Sequence, residues 1–526
     1  MRRSYQVWLP IFLVCFATVA ASAQSFRVQC PTSTITHPSK LHDNNSEPAY
    51  TGPTSLTINS SGYYEPSANV NGAIKCQQIS GGDGYATMGD GSQTYMFSFG
   101  PLSGLSDIAS GQPGTEFPSV FNTVFPGGKN NPLQPGDPAT TGVIYNGAVG
   151  LVPDVQANNG TGTAGAALTG HVDPRQIMDV GVMNGNIPAP LMAIEEDDEF
   201  FLTLTNVGMI MRPDLFEQHT VHFHGYPNAS AFYDGVPDAS VAINIGASFT
   251  YYYLAPDAGT YFWHCHITPP EHLQMGMVGQ LYVRPRQNRV ASGGGLYAAL
   301  LQQEGDLRTK CDSNTDILCS NPLPAGGAAV NTATRAPTGN YAYNDGDGST
   351  YYDVEYPLQI HGFDPNFHFV GMTFNPEGFA DMKDKYFLLN GRSYPDTVSM
   401  GAMQTQSADG VNHFSQPLPS IINITAGQKA LLRISDLDVT EYQTLASLGI
   451  PMKVIAINAK LLRDQAGNNL YYNTNSITLA GGESLDVILD STGVPKGTYY
   501  LYTPNLDHLS NDAENFGGLM TEVRIN

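Results

Sequence analysis

Basic residues are scarce in this chain of 526 residues: 24 Lys and Arg stand against 47 Asp and Glu, a formal net charge of −23. Phosphate recognition needs clustered Lys and Arg, so the composition argues against a nucleic-acid partner. Charge of either sign is thin, at 13% of residues. No apolar run beyond the first 23 residues is long enough for a spanning helix, so no membrane span is expected in the processed chain. Cysteine is also sparse, with only six. What abounds is Gly (55), Pro (36), Tyr (28) and Phe (23), the profile of a loop-rich β protein. Hydrophobic content of 41% supplies buried cores and excludes global disorder. The length suggests roughly two to four domains.

The chain opens with Met1-Arg2-Arg3, an apolar run from Val7 to Ala21, and Ala21-Ser22-Ala23. A basic start, an apolar stretch and an A-x-A site predict a secretory signal peptide over 1–23, hence an exported protein, periplasmic or extracellular. Cleavage removes Cys15 and leaves five cysteines. Export favours disulfides. Cys30–Cys76 and Cys311–Cys319 are the simplest local pairs, although sequence alone does not fix the connectivity. Cys265 is then left over, and a lone thiol in an oxidising compartment calls for burial or a metal.

Residues 24–84, rich in Ser, Asn, Thr and Gly, read as an irregular, disulfide-tied N-terminal extension. A first β domain is expected over 85–286, interrupted at about 101–175 by a Gly/Pro/Asn-rich insertion. Strands are expected at Tyr95–Phe99, Phe200–Thr205, Thr220–His224, Ser248–Leu254 and Gly259–Trp263. A linker at 287–350 contains one helical stretch, Leu296–Gln303. Residues 351–526 repeat the first domain in order: Phe200–Thr205 recurs as Ala430–Ile434, Gly225-Tyr-Pro227 as Gly449-Ile-Pro451, Gly259-Thr-Tyr as Gly497-Thr-Tyr, and Met277–Val283 as Met520–Ile525. Two related Greek-key β domains, all-β sandwiches or barrels with long irregular insertions, follow from this pattern.

Six of the 13 histidines lie between His219 and His272. In His219-Thr-Val-His222-Phe-His224-Gly225, residues two apart on a strand share a face, so His222 and His224 project together. In His264-Cys265-His266 the two imidazoles share one face and the thiol takes the other. His272 and Met277 follow. One thiolate, two imidazoles and a distant thioether form the ligand set of a blue-copper site, here His219, Cys265, His272 and Met277. Met209, Met211 and Met275 lie nearby in sequence, where gap-filling in a core is the commoner use of methionine.

The segment His219–Met277 resembles the copper-binding cupredoxin domains of the multicopper oxidases. The motif H-x-x-H-x-H-G fits His219, His222, His224 and Gly225, and H-C-H with a later His and Met fits His264, Cys265, His266, His272 and Met277. The spacing from Cys265 to His272 is two residues longer than in typical laccases, so Thr268-Pro269-Pro270 is expected to bulge that loop. A longer loop, and a blue copper in the first of two domains, are similar to copper nitrite reductases. The resemblance is specific over 183–285 and weaker over 351–526. It implies tandem cupredoxin-like domains with copper as cofactor. It assigns His222, His224, His264 and His266 to type 2/type 3-like copper and Asp234, in Asp234-Gly-Val-Pro237, to proton support. Cys265 would pass electrons into His264 or His266, and an outer donor would reach the blue copper through an exposed edge of His272.

The second repeat does not supply the other four histidines of a full cluster. Its matching positions are Gln443, Ala446, Leu448, Tyr502, Thr503 and Pro504, and only His508 echoes the later ligand, as a relic or a surface residue. His361 and His368 are the remaining candidates: a homotrimer could bring them to the four-histidine site of a neighbouring copy, or they are polar positions in an ordinary strand and loop. The leading expectation is an exported multicopper-oxidase-like enzyme. It would take electrons from a small-molecule, metal-ion or redox-protein donor and pass them to oxygen. The alternatives are a cupredoxin electron carrier or copper-binding module without oxygen reduction, and a copper nitrite reductase-like enzyme. A structural surface protein with vestigial metal sites is a third.

Overall fold

The computed structural model describes residues 24–26, 28–122, 125–126, 167–168, 185–209, 211–212, 215, 217–225, 230–255, 257–303, 322–326, 340–371, 378–406 and 412–526. The expected signal peptide (1–23), the pair Cys311–Cys319 and most of the insertion at 101–175 lie outside these residues. The architecture is all-β: two sandwiches of two sheets each, joined by a packed connector.

In the first sandwich, β1 (Ile74–Thr87), β2 (Gln93–Pro101), β4 (Glu199–Gly208) and β6 (Ser248–Leu254) form one sheet in the order β6-β4-β1-β2. The facing sheet runs β3-β8-β7-β5, from β3 (Met192–Glu195), β5 (His222–His224), β7 (Gly259–His264) and β8 (Val278–Arg284). Phe97, Phe99, Phe223, Tyr251, Tyr253 and Trp263 fill the space between them, with Cys265, Met275 and Met277 in the same core. Aromatic residues at alternate positions of short strands are what a pleated, one-side-buried surface selects.

The expected domain boundary at 85 falls inside β1, a strand of 14 residues that begins at Ile74 and sits in the middle of its sheet. The sequence reads as irregular there because β1 carries Gly81, Gly82 and Gly84 in place of alternating apolar residues. These glycines make room: a Cβ on Gly84 would lie 2.1 Å from the Gly185 carbonyl oxygen, and one on Gly81 would lie 2.6 Å from the His219 ring. The remainder of the extension holds a hairpin of Ser55–Ile58 and Tyr64–Ala68, and it is tied to β1 by a disulfide between Cys30 and Cys76.

The second sandwich follows the same plan. One sheet runs β10-β9-β12-β16-β14, built from β9 (Val354–Phe363), β10 (Tyr386–Leu389), β12 (Lys429–Asp436), β14 (Met452–Ile457) and β16 (Ser484–Asp490), with two short strands beyond β14. The other runs β11-β18-β17-β13-β15, from β11 (Ile422–Ile424), β13 (Gln443–Leu448), β15 (Ser476–Leu479), β17 (Gly497–Tyr502) and β18 (Met520–Ile525). The repeat extends to strand direction. β1 lies parallel to β4 as β9 does to β12, and β3 lies parallel to β8 as β11 does to β18.

The two sandwiches share a polar seam. Thr260 Oγ1 donates to Asp486 Oδ1 at 2.5 Å, Ser484 Oγ to the Thr260 carbonyl at 2.7 Å, and Gln280 Nε2 to the Arg433 carbonyl at 3.0 Å. Buried Arg433 pairs with Glu355 at 3.0 Å, and Arg284 pairs with the same carboxylate. The expected linker at 287–350 is in part an ordered connector: helix Leu296–Gln303 forms as expected, and Asn344 and Asp345 are buried against Glu196 and Gln287.

Candidate metal centre

Three elements of the first sandwich converge on Cys265. His219 precedes β5 and is bridged to Ile243, Cys265 follows β7, and His272 lies in α1 (Pro269–Gln274). The expected bulge at Thr268-Pro269-Pro270 is instead the start of this helical turn. Thr268 takes a left-handed conformation (φ 40°), and two prolines occupy the first helical positions, where a missing N–H costs nothing. One donor atom each of His219, Cys265 and His272 lies within 4.8 Å of the others, and all three residues are buried. His272 Nδ1 is 3.4 Å from the Cys265 sulfur. Met277 is tied into the same knot by the main chain: Cys265 N–H donates to its carbonyl at 3.1 Å, and its own N–H donates to the His272 carbonyl at 2.9 Å.

The polar atoms here are not satisfied by protein. Both ring nitrogens of His219 and Nε2 of His272 are buried without a hydrogen-bond partner. Such atoms are rare because each forfeits its hydration. Burial pushes the Cys265 thiol up to about 11, holds His272 down to about 3, and holds His219 well below its usual range, with His272 adding to the effect. Burial alone therefore gives neutral imidazoles with free lone pairs and a protonated thiol. A soft cation would take one lone pair from each imidazole and displace the thiol proton.

The expected exposed edge of His272 is absent. Its side chain is buried against Phe97 and His219, and its Nε2 points at Glu217 Oε2, 3.9 Å away. Glu217, a third exposed, is the group that stands between this ring and solvent. Sequence reasoning missed it, although its position two residues before His219 was the available signal.

A second donor group forms on the opposite side of the Cys265 main chain. His222 pairs across the sheet with His264, and His224 with Phe262. His224 Nε2 and His264 Nε2 approach to 2.9 Å. His264 Nδ1–H donates to the Cys265 carbonyl at 2.7 Å, and His222 Nδ1–H to the Asp234 carbonyl at 2.7 Å, which leaves Nε2 of each as a lone-pair donor. His224 Nε2 and His264 Nε2, at 2.9 Å, share a proton or would hold a cation between them. His222, His224 and His264 form a metal-competent trio, and the His266 ring lies 5.1 Å from that of His222. Burial holds His224 down to about 4 and His264 to about 3. The Asp234 carboxylate lies 3.5 Å from His222 Nδ1. The carbonyl of the same residue orients that ring.

A cleft of about 370 Å³ opens on His224 and His264. Its far wall is the second sandwich, from residues 437–442 and 480–482. That wall supplies no imidazole. Asp438 spends its oxygens on its own loop, accepting from Thr440 N (2.8 Å), Glu441 N (3.1 Å) and Gln443 Nε2 (2.7 Å). His361 and His368 are also accounted for within the chain. Both are buried and hydrogen-bonded to Gln274, as ordinary polar positions of a strand and a loop. His508, expected as a relic or on the surface, is buried and hydrogen-bonded on both nitrogens. Met209 and Met275 fill the core, and Met211 is exposed.

The family model for multicopper oxidases matches residues 168–288, which contain every donor above. Residues 168–288 are a multicopper oxidase domain. The chain is 34% identical over 109 residues to a laccase of Aspergillus fumigatus, covering 20% of this chain and 17% of that protein. Over a similar stretch it is 34% identical to a copper-containing nitrite reductase of Rhizobium meliloti (20% and 26% covered) and 32% identical to an L-ascorbate oxidase of Cucumis sativus (20% and 17%). The chain thus spans about a sixth to a quarter of these curated relatives. A blue copper oxidase from Nitrosomonas europaea aligns with a TM-score of 0.42 at 21% identity, covering 65% of this chain and 78% of that one. The multicopper oxidase domain supplies all the donors of both groups. No helix among the described residues is long and apolar enough to cross a membrane.

Proposed function

We propose that this chain is an exported copper-dependent oxidoreductase. It takes single electrons from a small-molecule or metal-ion donor, or a redox protein, and delivers them to oxygen. His219, Cys265, His272 and Met277 hold a type 1 copper, and His222, His224, His264 and His266 hold type 2/type 3-like copper. Bound copper supplies the one-electron chemistry and the affinity for oxygen. One observation carries the reading: two donor groups, a fully buried one at Cys265 with unsatisfied ring nitrogens and a half-buried one at His222, His224 and His264, are joined covalently through His264-Cys265. No other segment among the described residues joins two such groups.

The protein's own contributions are local. Glu217 places its carboxylate 3.9 Å from His272 Nε2 and presents a negative group to an approaching donor. His222 is held by the Asp234 carbonyl, which leaves the neighbouring carboxylate free to gain or lose a proton without releasing the ring. The cleft wall at 437–442 restricts water around His224 and His264.

A second reading has its own observation in support. The positions of the second sandwich that match the histidines are Ala446, Leu448, Tyr502 and Pro504, so a trinuclear cluster lacks half its ligands within one chain. On that reading the protein carries electrons or binds copper without reducing oxygen. Copper analysis, EPR and oxygen uptake on the purified, copper-loaded protein separate the two. Copper in excess of one per chain, with oxygen consumption on a phenolic or ferrous donor, supports the oxidase. One type 1 copper per chain with no oxygen uptake leaves the carrier. Nitrite consumption in place of oxygen uptake would move the assignment to the nitrite reductase-like alternative.

A further inference from the structure

His361 and His368 belong to neither donor group, yet both are buried, and both are spent on one residue of the first sandwich. His361 Nε2–H donates to the Gln274 carbonyl at 3.0 Å, and His368 Nε2–H donates to Gln274 Oε1 at 3.0 Å. Asp364 N–H reaches the same Oε1 at 3.1 Å, and Gln274 Nε2 donates to Asp384 Oδ1 at 2.6 Å. All four partners come from the second sandwich. Gln274 is itself fully buried. Both of its acceptor oxygens and one amide hydrogen are therefore held by a domain in which no metal-competent group of donors forms among the described residues. The tautomers follow from this: a carbonyl and an amide oxygen only accept, so each imidazole must carry its proton on Nε2.

Gln274 is placed where this grip matters. It lies two residues after His272 and three before Met277, in the turn closed by the Met277 N–H to His272 carbonyl bond. Its position sets where α1 ends, and so where the His272 ring and the Met277 thioether stand relative to Cys265. Groups that orient metal ligands without touching the metal change affinity and electronic structure when removed.

We propose that His361 and His368 are positioning residues for the Cys265 metal site, through which the second sandwich clamps the His272–Met277 loop by its Gln274. The proposal rests on the type 1 copper reading above. The test uses the full-length protein titrated with cobalt(II) and copper(II), reading the thiolate-to-metal absorption band and the dissociation constant. Parent protein must show the band and Cys265→Ser must lack it; failure there sinks the copper reading itself. Given that band, Gln274→Ala and His368→Ala are expected to shift it and to weaken metal binding ~10–100-fold. His368→Gln, which keeps an amide N–H donor toward Oε1, is expected to restore most of both. Thermal unfolding of the metal-free variants is measured alongside. A band and affinity equal to the parent's in His368→Ala would overturn the clamp, even with lowered metal-free stability, because packing alone would then explain the histidine. Equal loss in His368→Ala and His368→Gln would overturn it too.

Discussion

The two sandwiches place the same four positions around the same kind of pocket and fill them in opposite ways. In the first, His219, Cys265, His272 and Met277 meet with ring nitrogens left unsatisfied. In the second, backbone bonds fix the equivalents. Thr503 N–H donates to the Leu519 carbonyl and Leu519 N–H to the His508 carbonyl, as Cys265 does to Met277 and Met277 to His272. The matching set is therefore Gln443, Thr503, His508 and Leu519. There, His508 Nδ1 meets Gln443 Oε1 at 2.9 Å, its Nε2 meets Glu441 Oε2 at 3.0 Å, and its ring stacks on Phe387 at 3.9 Å. The same scaffold thus has a ligand-seeking version and a self-satisfied version. The hydrogen bonding of the buried nitrogens tells them apart where residue type does not, since both contain a buried histidine.

The largest effect is expected at the thiol. Cys265→Ser should abolish the intense visible absorption of the copper-loaded protein and the type 1 EPR signal, whereas Thr503→Ser, its counterpart, should leave both unchanged. A blue Cys265→Ser protein would remove the basis for distinguishing the two pockets.

Replacing the paired histidines by a similar-sized apolar residue sharpens the contrast. In metal-free protein, His508→Leu strips Gln443 and Glu441 of their partner and should cost about 1–3 kcal/mol of stability. His219→Leu removes a ring that has no hydrogen bonds to lose, so metal-free stability should be unchanged or higher while copper binding fails. Thermal unfolding of the parent and both variants, with and without copper, checks both signs. Equal loss of stability in the two metal-free variants would mean that the pockets do not differ in how their histidines are satisfied.

Gly81→Ala tests the close approach of β1 to the ligand. Its Cβ would sit 2.6 Å from the His219 ring, and overpacking of this kind costs about 1–2 kcal/mol. Because the clash falls on a ligand, copper affinity should drop with stability. Gly449→Ala, which would crowd the Tyr499 ring of the second sandwich, should cost stability with a smaller change in copper binding. Copper titration and thermal unfolding of both variants measure the two effects.

Much of the first sandwich was legible in the sequence because metal ligation forces particular residue types into particular spacings. The period-2 histidines of β5, the His264-Cys265-His266 triplet and the apolar strands around them all declare themselves. What was not legible depends on contacts between distant segments. β1 looks irregular because its glycines answer to His219 and Gly185, which no local pattern reveals. His361 and His368 lack any motif because their partner, Gln274, lies nearly a hundred residues away. The repeat was legible in order but not in register: Met520 looks like the counterpart of Met277, while the backbone assigns Leu519. The burial of the His272 edge by Glu217 is likewise a property of packing, not of spacing.

The smallest effect concerns charge in the second sandwich, next to the clamp. Asp384 is buried beside Asp438, and its Oδ2 accepts from Thr440 Oγ1 at 2.6 Å. Burial first, and the Asp438 charge second, push its carboxyl up to about 9. An acid whose folded pKa lies above its unfolded value keeps its proton on folding and releases it on unfolding. Its contribution to stability is then full below about pH 4 and is lost progressively as pH rises toward 9. An asparagine side chain at this position would be neutral at every pH and could still accept from Gln274. Asp384→Asn should therefore match the parent near pH 4 and become progressively the more stable of the two as pH rises toward 8, because only the parent must keep a proton on folding. The difference between the two proteins is the readout, because Asp364, Asp436, Asp438, Glu441, His361 and His368 also face this region and contribute to both. Metal-free unfolding at pH 4, 6 and 8 measures it. A stability difference that stays flat with pH would mean that Asp384 is ionised in the fold, and that the second sandwich is not closed to charge around the residue that holds Gln274.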